Sequence, residues 1–337
     1  MTNSVLAGAK SIGQRLFGGY AELLRIPHTA RFSVGSVIAC MPFPMVGMTI
    51  TISVQHYYGN YSLAGALTAV QAIALAVASP VLGKLVDKFG QRQVSIPTII
   101  VWMIAATALV SCITARILFC IVPFMAAIPP WGAMSRQRWT TLLKGDTEKT
   151  NRALSLSGVF DECMWVIGNP LASTLAVISG LLAFSFTGVC VVVGALMFLT
   201  ELSTEPKSQT QLAREAGMTR KEYREREAAR SKALQAEAAI EYARDRARSE
   251  GKTAAEVQAA MDQAAADVNA GRKESIWGPG LIAVCVTWFG LGAFQSAAGI
   301  SIVAFATEAN MKQYTGFVFA CFSFSSLIGA LVYGAKN

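Results

Sequence analysis

The stretch Gly-Lys-Leu-Val-Asp-Lys-Phe-Gly-Gln-Arg, residues 83–92, separates two long apolar runs. Residues 63–82 lie before it and residues 94–113 after it, and neither run contains Lys, Arg, Asp or Glu. Each run holds about 20 residues, enough to cross the hydrocarbon core of a bilayer as a helix. The stretch therefore predicts a tight turn between two membrane helices.

The composition of the whole chain agrees with this interpretation. Of its 337 residues, 53% are hydrophobic and 15% are charged, whereas about a quarter of the residues of a soluble domain are charged. Apolar runs of membrane-spanning length predict an all-α membrane protein with about eight helices. Their approximate positions are 32–55, 61–82, 94–113, 117–135, 153–177, 181–200, 279–304 and 315–334.

The basic residues predict which side of the membrane each connection faces. All Lys and Arg except Arg116 and Lys312 lie before the first predicted helix, in alternate connections or at the C-terminal end. The positive-inside rule then predicts a multi-pass protein of the cytoplasmic membrane, with both termini and residues 83–92 in the cytoplasm. Since this pattern accounts for the net charge of +8, the charge does not indicate nucleic-acid binding.

Composition divides the chain into four predicted parts. Residues 1–30 are amphipathic and lack the charged start and apolar core of a cleavable signal, so we expect them along the inner membrane interface. Residues 31–201 form a predicted six-helix bundle, and residues 278–337 hold two further helices. Residues 202–277 between them are rich in Ala, Glu, Arg, Lys and Gln, which predicts a cytoplasmic linker.

Two sequence signals predict helices within this linker. Thr219 with Glu222, and Thr253 with Glu256, each fit a capping box, so we expect solvated helices near 220–249 and 254–269. Large apolar residues are too few for a separate core. The segment is therefore either a solvated linker or a surface that binds the membrane or a partner.

Prolines interrupt two of the predicted membrane helices. The segment Pro42–Pro44 predicts a bend in the first helix. The outer half of this helix is polar and ends at Gln55. The helix is therefore either a kinked packing helix or part of a cavity wall. The pair Pro129–Pro130 predicts the end of the fourth helix. Arg136 and Arg138 follow this end, where cations complement the helix dipole and anionic lipid.

Asp161 and Glu162 are the most informative residues of the predicted membrane helices. Counted from a helix start near Arg152, they lie roughly 15 Å deep, where an ionisable group is costly unless it faces an interior or a water-filled path. Glu162 shares a polar stripe with Asn169, which favours a role in a solute pathway or in proton coupling. Asp161 shares its face with Gly168, so either an ion pair at a packed face or the pathway accounts for it.

Two further polar residues are candidates for the pathway. Gln295 lies at near-heptad spacing from Trp288 in the seventh predicted helix, where both face either a ligand or neighbouring helices. Arg116 is one of two basic residues on the predicted outer side, where orientation by charge does not explain it. The seven cysteines lie in or beside apolar runs without a CxxC pair, so we expect small buried hydrophobes rather than a metal site or disulfides. No cofactor is expected.

Residues 83–92 fit the pattern G-x-L-x-D-[RK]-x-G-x-[RK] at every fixed position: Gly83, Leu85, Asp87, Lys88, Gly90 and Arg92. The stretch resembles the loop between helices 2 and 3 of major facilitator superfamily transporters. Residues 161–170, DECMWVIGNP, resemble the D-E-x-x-aromatic-x-x-G-P segment in the fifth helix of some actinobacterial members, with Asn169 before the proline. The long linker resembles the connection between the two six-helix halves of the family.

The resemblance implies a superfamily-type helical bundle with about eight of its twelve helices, and hence a C-terminally truncated sequence. It implies a small-molecule substrate, and protons if transport is coupled, moved by alternating access between two halves in the lipid bilayer. In that mechanism Gly83 and Gly90 permit a close turn, while Asp87, Lys88 and Arg92 form a charge network that stabilises the outward-open state. Orientation by positive charge alone also accounts for Lys88 and Arg92.

The residues favour a transporter over other functional classes. A membrane-embedded enzyme needs a nucleophile, a metal cluster or an acid and base pair in one cavity, but His28 and His56 both lie outside the predicted helices. A channel needs a filter-like segment, and no stretch resembles one. The remaining alternative is a non-transporting fragment of a transporter. No recognisable residue identifies the substrate, the direction of transport or the coupling ion.

Overall fold

A computed structural model describes residues 20–111, 115–251, 253–269, 279–311, 314–315, 317–319, 321 and 324–325. All regular secondary structure in these ranges is helical, which confirms the expected all-α class. The described residues fall into two units. The first comprises residues up to Ser208 and from Ala297 onward, and the second comprises residues 209–296.

Eight α-helices with both ends among the described residues lie in the first unit between residue 29 and residue 208. They are α1 Thr29–Ala39, α2 Pro42–Tyr58, α3 Tyr61–Phe89, α4 Gln91–Ser111, α5 Ala115–Ile121, α6 Trp131–Leu142, α7 Thr147–Ile178 and α8 Gly180–Leu199. Short 3₁₀ helices follow α5 at Val122–Ala126 and α8 at Leu202–Thr204. Later in the chain lie α9 Gln209–Glu215, α10 Arg220–Ser249, α11 Ala254–Asn269 and α12 Pro279–Glu308.

Six segments of the described chain are long and apolar enough to cross a membrane: Thr29–Tyr58, Tyr61–Phe89, Gln91–Ser111, Ile117–Leu142, Gly180–Leu199 and Gly280–Glu308. These segments confirm six of the eight expected membrane helices. α7 is not among them, because polar residues such as Asp161, Glu162 and Asn169 lower its hydropathy. The eighth predicted helix, 315–334, lies largely outside the described residues.

The expected bend in the first membrane segment is a break between α1 and α2. Because Pro42 has no backbone N–H, the chain tightens there into short-range hydrogen bonds. The N–H of Met41 donates to the carbonyl of Ile38 at 3.2 Å, and that of Phe43 donates to the carbonyl of Cys40 at 3.0 Å. The fourth segment is broken similarly, with residues 127–130 non-helical between the 3₁₀ helix and α6.

The turn predicted for residues 83–92 is shorter than expected. α3 continues through Asp87 and Lys88 to Phe89, and α4 begins at Gln91, so Gly90 alone connects the two helices. Its φ of 105° lies in the region that favours glycine, and its N–H donates to the carbonyl of Val86 at 2.8 Å. The prediction of a longer turn was wrong because the residues after Leu82 are compatible with helix until this glycine.

Small residues let the helices of the first unit approach closely. A Cβ atom on Gly194 of α8 would collide with the backbone of Ala39 in α1, and one on Gly168 of α7 would collide with the ring of Pro44 in α2. Gly168 therefore confirms the packing expected of its face. The cysteines are only partly as expected, since Cys40 is buried, Cys163 and Cys190 are half-buried, and Cys120, Cys285 and Cys321 are exposed.

The two helices predicted for the linker have the predicted bounds. α10 covers residues 220–249 and α11 residues 254–269, and the two pack against each other within the second unit. At the start of α10, the Thr219 side chain accepts from the N–H of Glu222, whose carboxylate accepts from the N–H of Thr219. Ala247 is the one residue of α10 that is fully buried, so this helix is largely solvated.

Candidate functional site

The charged residues of the 83–92 stretch lie at the end of α3 and the start of α4. Asp87 is exposed and has no ion pair or hydrogen bond to its side chain among the described residues. The Lys88 ammonium lies 4.5 Å from the centre of the Phe89 ring. Gly83 lies within α3, and a Cβ atom there would meet open space, so no close approach explains this glycine in the described structure.

The Glu205 side chain caps the N-terminal end of α4, where the preceding residue has no side chain that could do so. The residue before α4 is Gly90, which has no side chain to accept from the first free N–H groups of the helix. The Glu205 carboxylate takes this role and accepts from the N–H of Arg92 at 3.2 Å. A Cβ atom on Gly90 would lie 3.8 Å from the same carboxylate oxygen. The segment after α8 thus positions the turn.

Beneath this turn lies the Arg138 cluster, which we define as Gln91, Arg138, Glu201 and Thr204. Arg138 of α6 is completely buried, and its guanidinium donates to the side chain of Gln91 at 2.8 Å and to the hydroxyl of Thr204 at 3.0 Å. It also donates to two carbonyls at the C-terminal end of α8, those of Phe198 at 3.0 Å and Glu201 at 2.9 Å. The guanidinium therefore helps to cap α8, where the Phe198 carbonyl also accepts from the N–H of Glu201 at 3.3 Å.

The Glu201 carboxylate ties the start of α1 to the same cluster. Its side chain is only 8% exposed and contacts Nδ1 of His28 at 2.7 Å and the guanidinium of Arg31 at 3.0 Å. Arg31 also donates to the hydroxyl of Thr200 at 3.0 Å. The Glu201 carboxylate is thus paired, as burial of a charge requires, whereas Nη2 of Arg138 is buried without a hydrogen-bond partner among the described residues.

The two arginines of α6 do not cap the fourth helix as predicted. α6 begins at Trp131, so both lie inside a helix, and they have different environments. Arg138 faces the protein core rather than lipid headgroups, while Arg136 is 44% exposed and pairs with Asp161 of α7 at 3.0 Å. The break before Trp131 restarts the helix, which the Pro129–Pro130 pair was expected to end.

Asp161 and Glu162 lie at the midpoint of α7, a helix of 32 residues. The helix starts at Thr147 rather than near Arg152, and it is longer than the roughly 20 residues that cross a bilayer core. Asp161 has the ion-pair partner that the sequence left open, Arg136. The Glu162 side chain is half-buried and has no ion pair or hydrogen bond within the described part of the chain.

Of the other candidates for the solute pathway, only Asn169 lies on the same helix as Glu162. Asn169 lies two helical turns after Glu162 on α7 and is also half-buried. Gln295 lies on α12, where both it and Trp288 are exposed. The backbone of Arg116 belongs to α5, but its side chain lies outside the described residues.

A polar pocket lies at the far end of α2, within the first unit. It encloses about 370 Å³ of empty space, including the part open to its surroundings. Gln55 and His56 of α2 line it together with Thr307 of α12 and Thr315. The position of Gln55 agrees with the cavity-wall alternative for the first membrane segment.

Comparison with protein-family models gives one match, to Major Facilitator Superfamily, over residues 32–335. This range begins in α1 and includes the 83–92 stretch, both acids of α7 and all of α12. The chain belongs to the major facilitator superfamily. No curated protein and no solved structure matches it.

Membership of the superfamily makes this protein a membrane transporter with a small-molecule substrate and a lipid environment. It also explains the all-α fold and the several helices of membrane-spanning length.

Sequence reasoning did not identify the Arg138 cluster of this superfamily member. In the sequence, Gln91 belongs to the 83–92 stretch, and Arg138 is the second of two arginines that follow a pair of prolines. Glu201 and Glu205 were visible as acids directly after a long apolar run. A useful signal was the isolation of these polar residues at helix ends, but the sequence does not show that such distant positions meet.

Proposed function

We propose that this protein is a secondary active transporter that moves a small solute across the cytoplasmic membrane by alternating access, with its termini in the cytoplasm. Glu162 carries the coupling proton, and Asn169 lies beside it in the solute pathway. The observation that supports this role most directly is the contrast at the midpoint of α7. Asp161 is held by Arg136, whereas Glu162 has no partner among the described residues and remains available to a proton or solute.

The residues of the 83–92 stretch form the conformational gate in this proposal. Gly90 provides the single-residue turn, and Asp87, Lys88 and Arg92 present charge at the helix ends beside it. The exposure of the Asp87 carboxylate supports a contact with the second half of a transporter during the outward-open state. We assign Gly83 to the same motif, and Gln295 and Arg116 remain candidates for the pathway.

Solute flux in proteoliposomes tests the proposal. A panel of radiolabelled sugars, amino acids, organic anions and organic cations is offered with and without a pH gradient. We expect saturable flux of at least one class, accelerated by the gradient. Non-saturating current would indicate a channel instead, and no flux of any class would contradict the assignment of transport to this chain.

The gate is tested separately with the solute found in that screen. Asp87→Asn removes the charge with little change of shape, and we expect it to reduce flux while membrane insertion stays unchanged. Lys84→Gln is the matched control, because Lys84 lies in the same stretch but at a variable position of the motif. Equal flux in Asp87→Asn and the unsubstituted protein would remove Asp87 from the gate.

A further inference from the structure

An apolar groove runs between α4 and α8 on the surface of the first unit. It holds about 620 Å³ of empty space, including the part open to its surroundings. Ala195 and Leu199 of α8 are buried and form its floor, and the exposed side chains of Ile96 and Leu196 stand on its two sides. Both helices are of membrane-spanning length, and exposed apolar side chains such as Ile96, Ile100 and Leu196 indicate a surface that faces lipid.

The polar groups of this groove are concentrated at one end. Arg92 and Thr200 line that end, because α4 begins where the antiparallel α8 finishes. The Arg92 side chain is exposed and forms no ion pair among the described residues, while its backbone N–H donates to the Glu205 carboxylate at 3.2 Å. The Thr200 hydroxyl accepts from the guanidinium of Arg31 at 3.0 Å, and Arg31 is itself paired with Glu201. Arg92 is therefore the cation that lines the end of this apolar groove.

The groove is long enough to hold part of an acyl chain. Ile96 and Ile100 lie one and two turns into α4 from Arg92, so the lined part extends roughly 12 Å from the charged end. A ligand that fits must be apolar along this length and negatively charged at one end. A soluble metabolite satisfies only the second condition, whereas a membrane phospholipid satisfies both.

We propose that this groove is a binding site for an anionic phospholipid. One acyl chain lies along the floor between α4 and α8, and the headgroup phosphate contacts the guanidinium of Arg92, with the Thr200 hydroxyl at the same end of the groove. The groove does not include the pathway candidates, since neither Glu162 nor Asn169 lines it. Because Arg92 also belongs to the proposed gate, lipid composition would act on the motif directly.

Photo-crosslinking from inside the groove tests the site. The full chain carries benzoylphenylalanine in place of Ile96 and is reconstituted into phosphatidylcholine vesicles containing a minor fraction of phosphatidylglycerol. Mass spectrometry then measures which lipid is attached. We expect phosphatidylglycerol in the adducts at about fivefold above its share of the bilayer, the enrichment that one basic residue typically gives at an anionic surface.

Two comparisons make the result specific. The same crosslinker in place of Ile104, an exposed residue of α4 outside the groove, should capture the two lipids in proportion to the bilayer. Arg92→Gln should remove the enrichment at residue 96, and Arg92→Lys should retain it because the charge is kept. Adducts at residue 96 that match the bilayer composition, or that keep their enrichment in Arg92→Gln, would overturn the proposal. Since the readout is lipid identity, it does not depend on transport.

Discussion

Charged side chains have different surroundings in the Arg138 cluster and at the midpoint of α7. In the cluster, a completely buried guanidinium meets an amide, a hydroxyl and two helix-end carbonyls. At the midpoint of α7, Asp161 and Arg136 are each more than 40% exposed and share one ion pair, and Glu162 has no partner in the described chain. The difference indicates that the first region holds the helices together, whereas the second is the region to which we assign a role in transport in our proposal.

The largest expected effect is the loss of stability on removing Arg138. Arg138→Gln removes a buried guanidinium that donates to Gln91, to Thr204 and to the carbonyls of Phe198 and Glu201, so we expect the free energy of unfolding to fall by about 3–5 kcal/mol. Thermal unfolding of the purified protein in detergent measures the change. Arg136→Gln is the matched control two positions earlier on the same helix, and we expect it to cost about 1 kcal/mol or less.

If Arg138→Gln and Arg136→Gln lower the free energy of unfolding equally, the claim that the two regions contribute differently to stability is contradicted. If Arg138→Gln does not accumulate, Arg138→Lys supplies the measurement instead. Lysine keeps the charge but has a single ammonium in place of the planar guanidinium, so it cannot reach all four acceptors. We expect an intermediate loss of stability for this variant, still larger than that of Arg136→Gln.

A smaller effect is expected at Glu205, whose carboxylate caps α4 from outside the helix. Glu205→Ala removes the acceptor for the N–H of Arg92, and loss of a helix cap typically costs about 1 kcal/mol. Glu225→Ala on the exposed face of α10 serves as the control, with an expected change below about 0.5 kcal/mol. The same unfolding assay distinguishes them, and identical values would remove Glu205 as the cap.

The smallest expected effect is the coupling energy between Arg136 and Asp161. Half-exposed ion pairs contribute about 0.2–1 kcal/mol, so a double-mutant cycle with Arg136→Gln and Asp161→Asn should give a value in that range. A coupling energy of several kcal/mol would mean that this pair is scaffold, like the Arg138 cluster. The distinction between the two regions would then disappear.

Local patterns predicted the helices of this protein well where neighbouring residues decide the structure. The capping residues Thr219 and Thr253 gave the starts of α10 and α11, because each cap closes within four residues. The apolar runs gave six membrane segments for the same reason. The turn at Gly90 was misjudged in length, since charged residues after an apolar run do not by themselves end a helix.

Contacts between distant residues were not predictable from these patterns. Arg138 reaches Gln91 across 47 positions and Thr204 across 66, and no local spacing encodes either contact. The sequence pattern therefore predicted that Arg138 is a cation at a helix end, although it is one of the most buried side chains described. For the acids of α7, helical spacing selected Asp161 and Glu162 as candidates, but only the fold showed that Asp161 is paired and that Glu162 has no partner within the described residues.

The pH dependence of solute flux in Glu162→Gln tests the central claim most directly. Flux of the solute found in the proteoliposome screen is measured over a series of pH values for the unsubstituted protein, for Glu162→Gln and for Glu148→Gln. Glu148 is an exposed acid in the first turn of the same helix and serves as the control. We predict that Glu162→Gln loses the pH dependence while Glu148→Gln keeps it. An unaltered pH profile in Glu162→Gln would contradict the assignment of proton coupling to this residue.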